Sequence, residues 1–175
     1  ELPLCVLNIG GIANLTWIGD DGSLVAFDTG PGNSLIDDWM WETTGRKLDE
    51  GGRLAAEGDV DGVVLTRLMA DPYFDRPPPK SLDRLDFDAA PLAGLSAEDG
   101  AATLLAFPCG AVSRALGFLP RPPRRWLVSG GGRHNEMMML VLAATLGVPV
   151  EPVEAVGWDG NVLEAEAFGF LAMRS

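Results

Sequence analysis

Histidine is nearly absent from this chain, with His134 the only one, so a His-rich metal centre is excluded. Cysteine is almost as scarce. Cys5 and Cys109 lie in the apolar contexts Leu4-Cys5-Val6 and Phe107-Pro108-Cys109, without the spacing of a zinc site, and are expected to be buried thiols. Lys47 and Lys80 are the only lysines, which rules out the Gly-x-x-x-x-Gly-Lys-Ser/Thr phosphate loop. The net charge of −12 and pI of about 4.3 come without a dense Lys/Arg cluster, and such a field repels a nucleic-acid backbone. No run of residues reads as an uninterrupted apolar stretch of about 18, and a basic leader is missing. Neither nucleic acid nor membrane is therefore an expected partner, and the expected location is the cytoplasm.

What is present is a core-forming chain. Of 175 residues 47% are hydrophobic, enough for one ordinary domain. The 22 glycines and 13 prolines fall between hydrophobic runs and act as punctuation. Three β-type runs open the sequence, Leu4 to Ile9, Ile12 to Ile18 and Leu24 to Asp28, separated by Gly10-Gly11 and by Gly19-Asp20-Asp21-Gly22. Turns of that kind imply an antiparallel meander. The chain starts directly in the first of these runs without Met, as expected if an upstream portion has been removed.

A helix is expected from Ser34 to Thr44, with Asn33 or Ser34 as its cap and Gly45 at its end. Further helices are expected over Asp61 to Ala70 and Ser96 to Leu116, the latter opening on a capping-box-like Ser96-x-x-Asp99. Between them, Pro72 to Pro91 contains Pro77-Pro78-Pro79-Lys80 and reads as an extended loop crossing the surface. A buried-type strand, Arg125 to Ser129, precedes Gly130-Gly131-Gly132. Then come a helix from Asn135 to Leu146, a strand from Pro149 to Val153 and a final helix from Asn161 to Met173. The order β-β-β-α, inserted helices, β-α-β-α is that of an α/β ribonuclease-H-like lobe. Lobes of this kind work in pairs around a nucleotide in the hexokinase, actin and heat-shock chaperone superfamily, and one lobe alone is read in residues 1–175.

Three glycine-rich turns are candidate sites. Gly10-Gly11 would let backbone N–H groups approach a polyphosphate, although a plain hairpin gives the same signal. Asp28-Thr29-Gly30-Pro31-Gly32-Asn33 brings a carboxylate at a strand end and then a helix N-terminus, a place for an anion or a polar sugar. Ser129-Gly130-Gly131-Gly132-Arg133-His134-Asn135 repeats strand, glycines and helix N-terminus, where open α/β sheets bind ligands. His134 is read as a cap-region side chain. On the last helix, Glu164 and Glu166 point about 200° apart, and periodicity does not choose between them. Ala165, Gly169 and Ala172 form a small-residue stripe suited to a lobe-to-lobe contact or to a homodimer.

Asn8-Ile-Gly-Gly-Ile-Ala-Asn-Leu-Thr16, Phe27-Asp-Thr-Gly-Pro-Gly-Asn33 with Asp37 and Trp39, Pro78-Pro79-Lys80-Ser81, Ser129-Gly-Gly-Gly-Arg-His-Asn135 and Glu164-Ala-x-Ala-Phe168 together resemble the anhydro-N-acetylmuramic acid kinase family, in family order and over nearly the whole chain. The resemblance implies the C-terminal lobe of a two-lobed kinase using ATP and Mg²⁺. Its substrate would be 1,6-anhydro-N-acetylmuramic acid from recycled cell wall, and its product N-acetylmuramic acid 6-phosphate. The general base is then expected in an Asp-Phe-Arg segment upstream, in company with the own N-terminal lobe and its Gly-rich phosphate loop, and this chain alone is expected to be nearly inert.

By motif position, Gly10, Gly11 and Asn14 resemble the phosphate turn, and Gly130, Gly131, Gly132 and Asn135 the adenosine side. Glu164 matches the Glu that faces the sugar, while Asp28, Gly30 and Asn33 are expected to line the cleft. Two departures are Gly169, where Ala is usual, and Leu82-Asp83-Arg84, where many members read Thr-Gly-Arg. The competing readings are another sugar or acid kinase on the same superfold and a non-catalytic nucleotide-binding lobe.

Overall fold

The computed structural model describes residues 1–163. Of the expected last helix, from Asn161 to Met173, only residues 161–163 are described; Glu164 and the Ala165/Gly169/Ala172 stripe lie outside the described residues. Strands β1 (Leu4–Ile9), β2 (Ile12–Ile18) and β3 (Leu24–Pro31) form the antiparallel meander. Strict alternation drives it: Cys5, Leu7, Ile9, Ala13, Leu15 and Trp17 are buried while the residues between them are only half covered. β3 runs beyond its expected end at Asp28, because a bulge at Thr29 lets Gly30 pair with Ala13 and Pro31 with Ile12. The Thr29 hydroxyl donates to the Ala13 carbonyl across that bulge (3.1 Å). β4 (Arg125–Ser129) lies parallel to β1, and β5 (Val150–Pro152) parallel to β4, giving the order β3-β2-β1-β4-β5. This is the expected ribonuclease-H-like sheet. It sets the carboxyl ends of β1 and β4 side by side, the edge of an open sheet where ligands bind.

Helix α1 (Ser34–Thr44) ends on Gly45 in the left-handed conformation, as α4 (Glu136–Leu146) ends on Gly147. Asp61 caps α2 (Gly62–Met69), accepting from the Val63 and Val64 amides. Ser96 caps α3 (Ala97–Ala115) by accepting from the Asp99 amide. The expected capping box is only half formed, since the Asp99 carboxylate takes the backbone N–H of Asp59 (2.9 Å) and ties the preceding loop to α3. Trp39 of α1 crosses α3 where Gly100 offers no side chain, and its indole N–H donates to the Ala97 carbonyl (2.9 Å). Phe107, Leu104, Val112, Met40 and Met138 complete one core beneath Leu7, Leu15 and Phe27.

Cys5 and Cys109 are free and buried, and burial pushes both thiols up to about 12, as the inert reading requires. One expectation needs correcting: Ala97–Phe118, α3 and the turn after it, is long and apolar enough to cross a membrane. Its contacts identify it as a core helix instead, packed on the sheet, α1, α2 and α4.

The proline-rich segment does not simply cross the surface. Pro72–Asp75 forms a short 3-10 turn that buries Tyr73 and Phe74, and Phe87 packs against Phe74 and Phe107. Lys80 is only 7% exposed. Its ammonium sits 4.6 Å from the ring centres of both Tyr73 and Phe118 and 5.6 Å from Phe27, and donates to the Tyr73 carbonyl (3.2 Å). Burial lowers its pKa, and the three ring faces hold the cation in place. Lys80→Ala is expected to lower the unfolding free energy by about 2–4 kcal/mol, measured by urea denaturation. A change within ~0.5 kcal/mol, the size seen for solvated side chains, would show that this anchor contributes nothing.

Candidate ligand-binding site

Three glycine-rich segments meet at the carboxyl edge of β1 and β4. The Gly32 amide donates to the Gly11 carbonyl (2.9 Å) and the Asn33 amide to the Gly10 carbonyl (2.7 Å). The Asn33 side-chain NH₂ donates to the Ile9 carbonyl (3.1 Å), and the Ser34 hydroxyl to the Gly11 carbonyl (2.9 Å). Asn33 thus differs from expectation. It occupies the cap position of α1 without a side-chain capping bond, its carboxamide being used to tie the helix to the end of β1.

The glycines separate into two kinds. Gly130 has φ +73°, and a side chain there would run into the Asn8 carboxamide and the Ile9 carbonyl. At Gly132 an added Cβ would lie 2.6 Å from the Ile9 Cβ, and at Gly32 it would overlap the Gly10 carbonyl. The fold itself demands these residues. At Gly10, Gly11 and Gly131 the nearest atoms to an added Cβ are 3.7, 3.8 and 3.4 Å away, and no positive φ is involved. Among the described residues no packing contact requires glycine there, so the backbone at these positions is open to close approach.

Across the sheet, Ser129, Asn8, Asn14 and Asp28 are successive partners in register on β4, β1, β2 and β3. They form a polar row on the face opposite Val128, Leu7, Leu15 and Phe27. The Lys80 loop holds Asp28 from three sides. Its carboxylate accepts from the Leu82 amide (2.9 Å), its carbonyl from the Tyr73 hydroxyl (2.6 Å), and its own amide donates to the Lys80 carbonyl (3.2 Å). Gly30 does not line a cleft through its side: it points into the core, where an added Cβ would stand 3.0 Å from Ala111 Cβ and 3.1 Å from the Phe74 ring.

Two hollows flank this edge and share Gly131 and His134. The first, about 290 Å³, lies between α1 and α4 and is lined by Asn33, Ile36, Asp37, Leu48, Glu50 and Asn135 among others. The second, about 350 Å³, is lined by Asn8, Gly10, Ser129, Gly130, Arg133, Gly160 and Asn161 among others. The cap of α4 is Asn135, which accepts from the Met138 amide; His134 stays exposed on the divide between the hollows.

Arg133 has a role that the glycine-rich motif does not announce. It is 8% exposed and bonds in three directions, to Glu154 (2.9 Å), the Gly130 carbonyl (2.7 Å) and Asn161 (2.7 Å). It clamps the second glycine loop to the 154–161 segment. The sequence signal for it is an Arg directly after a buried-type strand and its glycines, because a guanidinium enters such a place only with acceptors on several sides.

Asp37 carries the perturbed carboxyl of the site, raised to about 6 by burial and then by the neighbouring Asp38, with Arg84 opposing. Arg84 itself pairs with Asp38 (3.0 Å) on the exposed flank. Among the described residues no three His, Cys, Asp or Glu side chains gather into a metal cage.

A family model described as anhydro-N-acetylmuramic acid kinase matches residues 3–175. The anhydro-N-acetylmuramic acid kinase of Paramagnetospirillum magneticum is 57% identical, over 100% of this chain and 50% of the relative. That of Acidiphilium cryptum is 58% identical, over 100% and 49%. The chain thus spans about half the length of the curated relatives it matches. Among solved structures, the activator of the 2-hydroxyisocaproyl-CoA dehydratase from Clostridium difficile with bound ADPNP superposes with a TM-score of 0.53 at 13% identity. The match covers 88% of this chain and 56% of that one; it shows a shared fold.

Two predictions follow from the packing and the charge. Gly130→Ala and Gly132→Ala are expected to cost about 1–3 kcal/mol through overpacking, whereas Gly10→Ala and Gly11→Ala stay within ~0.5 kcal/mol, as read by chemical denaturation. Because the folded-state pKa of Asp37 lies above the ordinary carboxyl value of about 3.9, its ionisation opposes folding above pH 6. That cost fades as pH falls from 6 toward 4. After solvent screening, Asp37→Asn should raise Tm by roughly 2–4 °C at pH 7.5, the shift that about 1 kcal/mol gives in a chain of this size, and leave it unchanged at pH 4.

Proposed function

The chain belongs to the anhydro-N-acetylmuramic acid kinase family, and from that premise we propose that it is the C-terminal lobe of a cytoplasmic, two-lobed kinase acting with ATP and Mg²⁺ on 1,6-anhydro-N-acetylmuramic acid. The observation that carries this reading is the unforced openness of Gly10 and Gly11 beside the polar row, with Gly10 at the wall of the second hollow. A polyphosphate needs close backbone approach of that kind in a protein whose overall charge is negative. The ADPNP-bound dehydratase activator, with the same fold, supports ATP as the nucleotide.

In this reading Gly10, Gly11 and Asn14 receive the phosphates, and Gly131 and Asn135 border the nucleoside. Gly130 and Gly132 let the second loop fold back against β1. Asp28 and Asn33 stand toward phosphate and sugar, with Glu164 the sugar-facing carboxylate. The polar row suits a hydrated Mg²⁺ that arrives on the phosphates, because such ions use one or two carboxylates and keep several waters. Asp28, with the amide oxygens of Asn8 and Asn14, is the donor set that would hold it, and the ion would neutralise charge developing on the phosphoryl oxygens.

Water adds to the anomeric carbon as the anhydro C1–O6 bond breaks. O6 takes the γ-phosphoryl group, ADP leaves, and the proton of the water goes to a general base in the other lobe. This lobe's share is positioning and charge stabilisation, on which phosphoryl transfer depends. The lobe partner is the protein's own N-terminal half.

The test is turnover by the intact protein, followed by mass identification of the product. The expected product is N-acetylmuramic acid 6-phosphate, with the 175-residue chain alone inactive. Phosphorylation of a different sugar or acid in place of the anhydro sugar would overturn the substrate. Ordinary kinase turnover by the isolated chain would overturn the placement of the base.

A further inference from the structure

The first hollow has a polarity of its own. Asp37 and Glu50 line it, and among the described residues its wall holds no Lys or Arg; Arg46, Lys47 and Arg53 stand in the adjoining hollow that shares Leu48, Asp49 and Glu50. The Asp49 carboxylate, also at its wall, is already committed to the amides of Leu54 (2.9 Å) and Ala55 (3.0 Å). Arg84, the cation nearest in effect to Asp37, is engaged by Asp38 on the exposed side. The Asp37 carboxylate accepts no hydrogen bond from any described residue, although it is half-buried on the first turn of α1. The Asp37 wall of the hollow disfavours a phosphate, and equally a sugar acid such as the lactyl-bearing substrate proposed above. It favours a neutral ligand rich in hydroxyl donors, with Ile36 and Leu48 offering apolar surface to a flat ring.

Resting on the kinase reading, we propose that Asp37 is a specificity-determining residue that accepts hydrogen bonds from the ribose hydroxyls of the nucleotide and so fixes its direction in the cleft. The nucleoside occupies the hollow between α1 and α4, and the polyphosphate crosses the Gly131–His134 divide to the open turn at Gly10-Gly11. A carboxylate is well suited to a ribose diol, since its two oxygens can take two hydroxyls, and acids hold ribose hydroxyls in this way in dinucleotide folds. Among the described residues no donor bonds the Asp37 carboxylate, half-buried at the wall of the hollow. A half-buried carboxylate left without a donor at a cavity wall is accounted for by a ligand that supplies the missing donors.

The experiment uses the intact protein and titration calorimetry with ATP, 2′-deoxy-ATP, 3′-deoxy-ATP and purine riboside triphosphate, on the wild type, Asp37→Asn and Asp37→Ala. The wild type is expected to bind ATP about tenfold more tightly than at least one deoxy analogue, the discrimination of roughly one buried hydrogen bond to a charged group. Asp37→Ala should lose that factor for ATP while binding the deoxy analogue as before, with Asp37→Asn between the two, and the KM for the anhydro sugar should not move. Equal weakening of ATP and both deoxy analogues in Asp37→Ala would overturn the proposal. So would a preference lost only for purine riboside triphosphate, which lacks the amino group, or a rise confined to the sugar KM. Nucleotide binding with ribose discrimination but without turnover of the anhydro sugar would sink the substrate reading and leave Asp37 standing. Absence of nucleotide binding would sink both.

Discussion

The site rests on one packing constraint, the closeness with which the entry to α1 is pulled against the end of β1. Carbonyl oxygens of Ile9, Gly10 and Gly11 are all engaged by residues 32–34. Groups that would repel a phosphate are thereby turned into the protein. Because the approach is this close, Gly32 can carry no side chain, and the second loop, wedged under Asn8 and Ile9, must be glycine at 130 and 132. The bulge at Thr29 belongs to the same arrangement, since it re-aims β3 so that its last residues reach the hairpin turn.

Much of this was legible in the sequence because the informative signals are local. Alternating apolar residues, a Gly-Gly turn, Asp61 and Ser96 before helices, and Gly45 and Gly147 after them each act within a few residues, and each marked its element correctly. The errors occur where a side chain's partner lies far along the chain. Asn33 reads as a cap but is claimed by Ile9, 24 residues earlier. Asp99 completes a capping box on paper but is claimed by Asp59, 40 residues away. Lys80 among prolines suggests a solvated loop, until Phe27 and Phe118 enclose it. Glycine runs mark the site as a whole but do not distinguish glycines that the fold needs from those a ligand could use. That separation depends on which atoms stand opposite, and periodicity carries no information about it.

Charge is divided across the edge in a way composition cannot express. The chain is strongly acidic, yet the open turn at Gly10-Gly11 presents backbone where a phosphate would have to come close. The acids of the first hollow stand on the far side of Gly131 and His134. Arg133, the buried cation of this region, is fully used in holding the loop to the 154–161 segment. Local arrangement of backbone groups and carboxylates, more than net charge, governs what each hollow can accept.

Enclosure of Lys80 leaves Lys47 as the exposed lysine side chain. Lys47 directly precedes Leu48, a wall residue of the first hollow. Side-chain amine chemistry on this folded lobe therefore has one favoured attachment point, next to the place where a ring would dock. A dye coupled there would report occupancy of the hollow without any engineered residue, and labelling of Lys80 would register the aromatic enclosure coming apart.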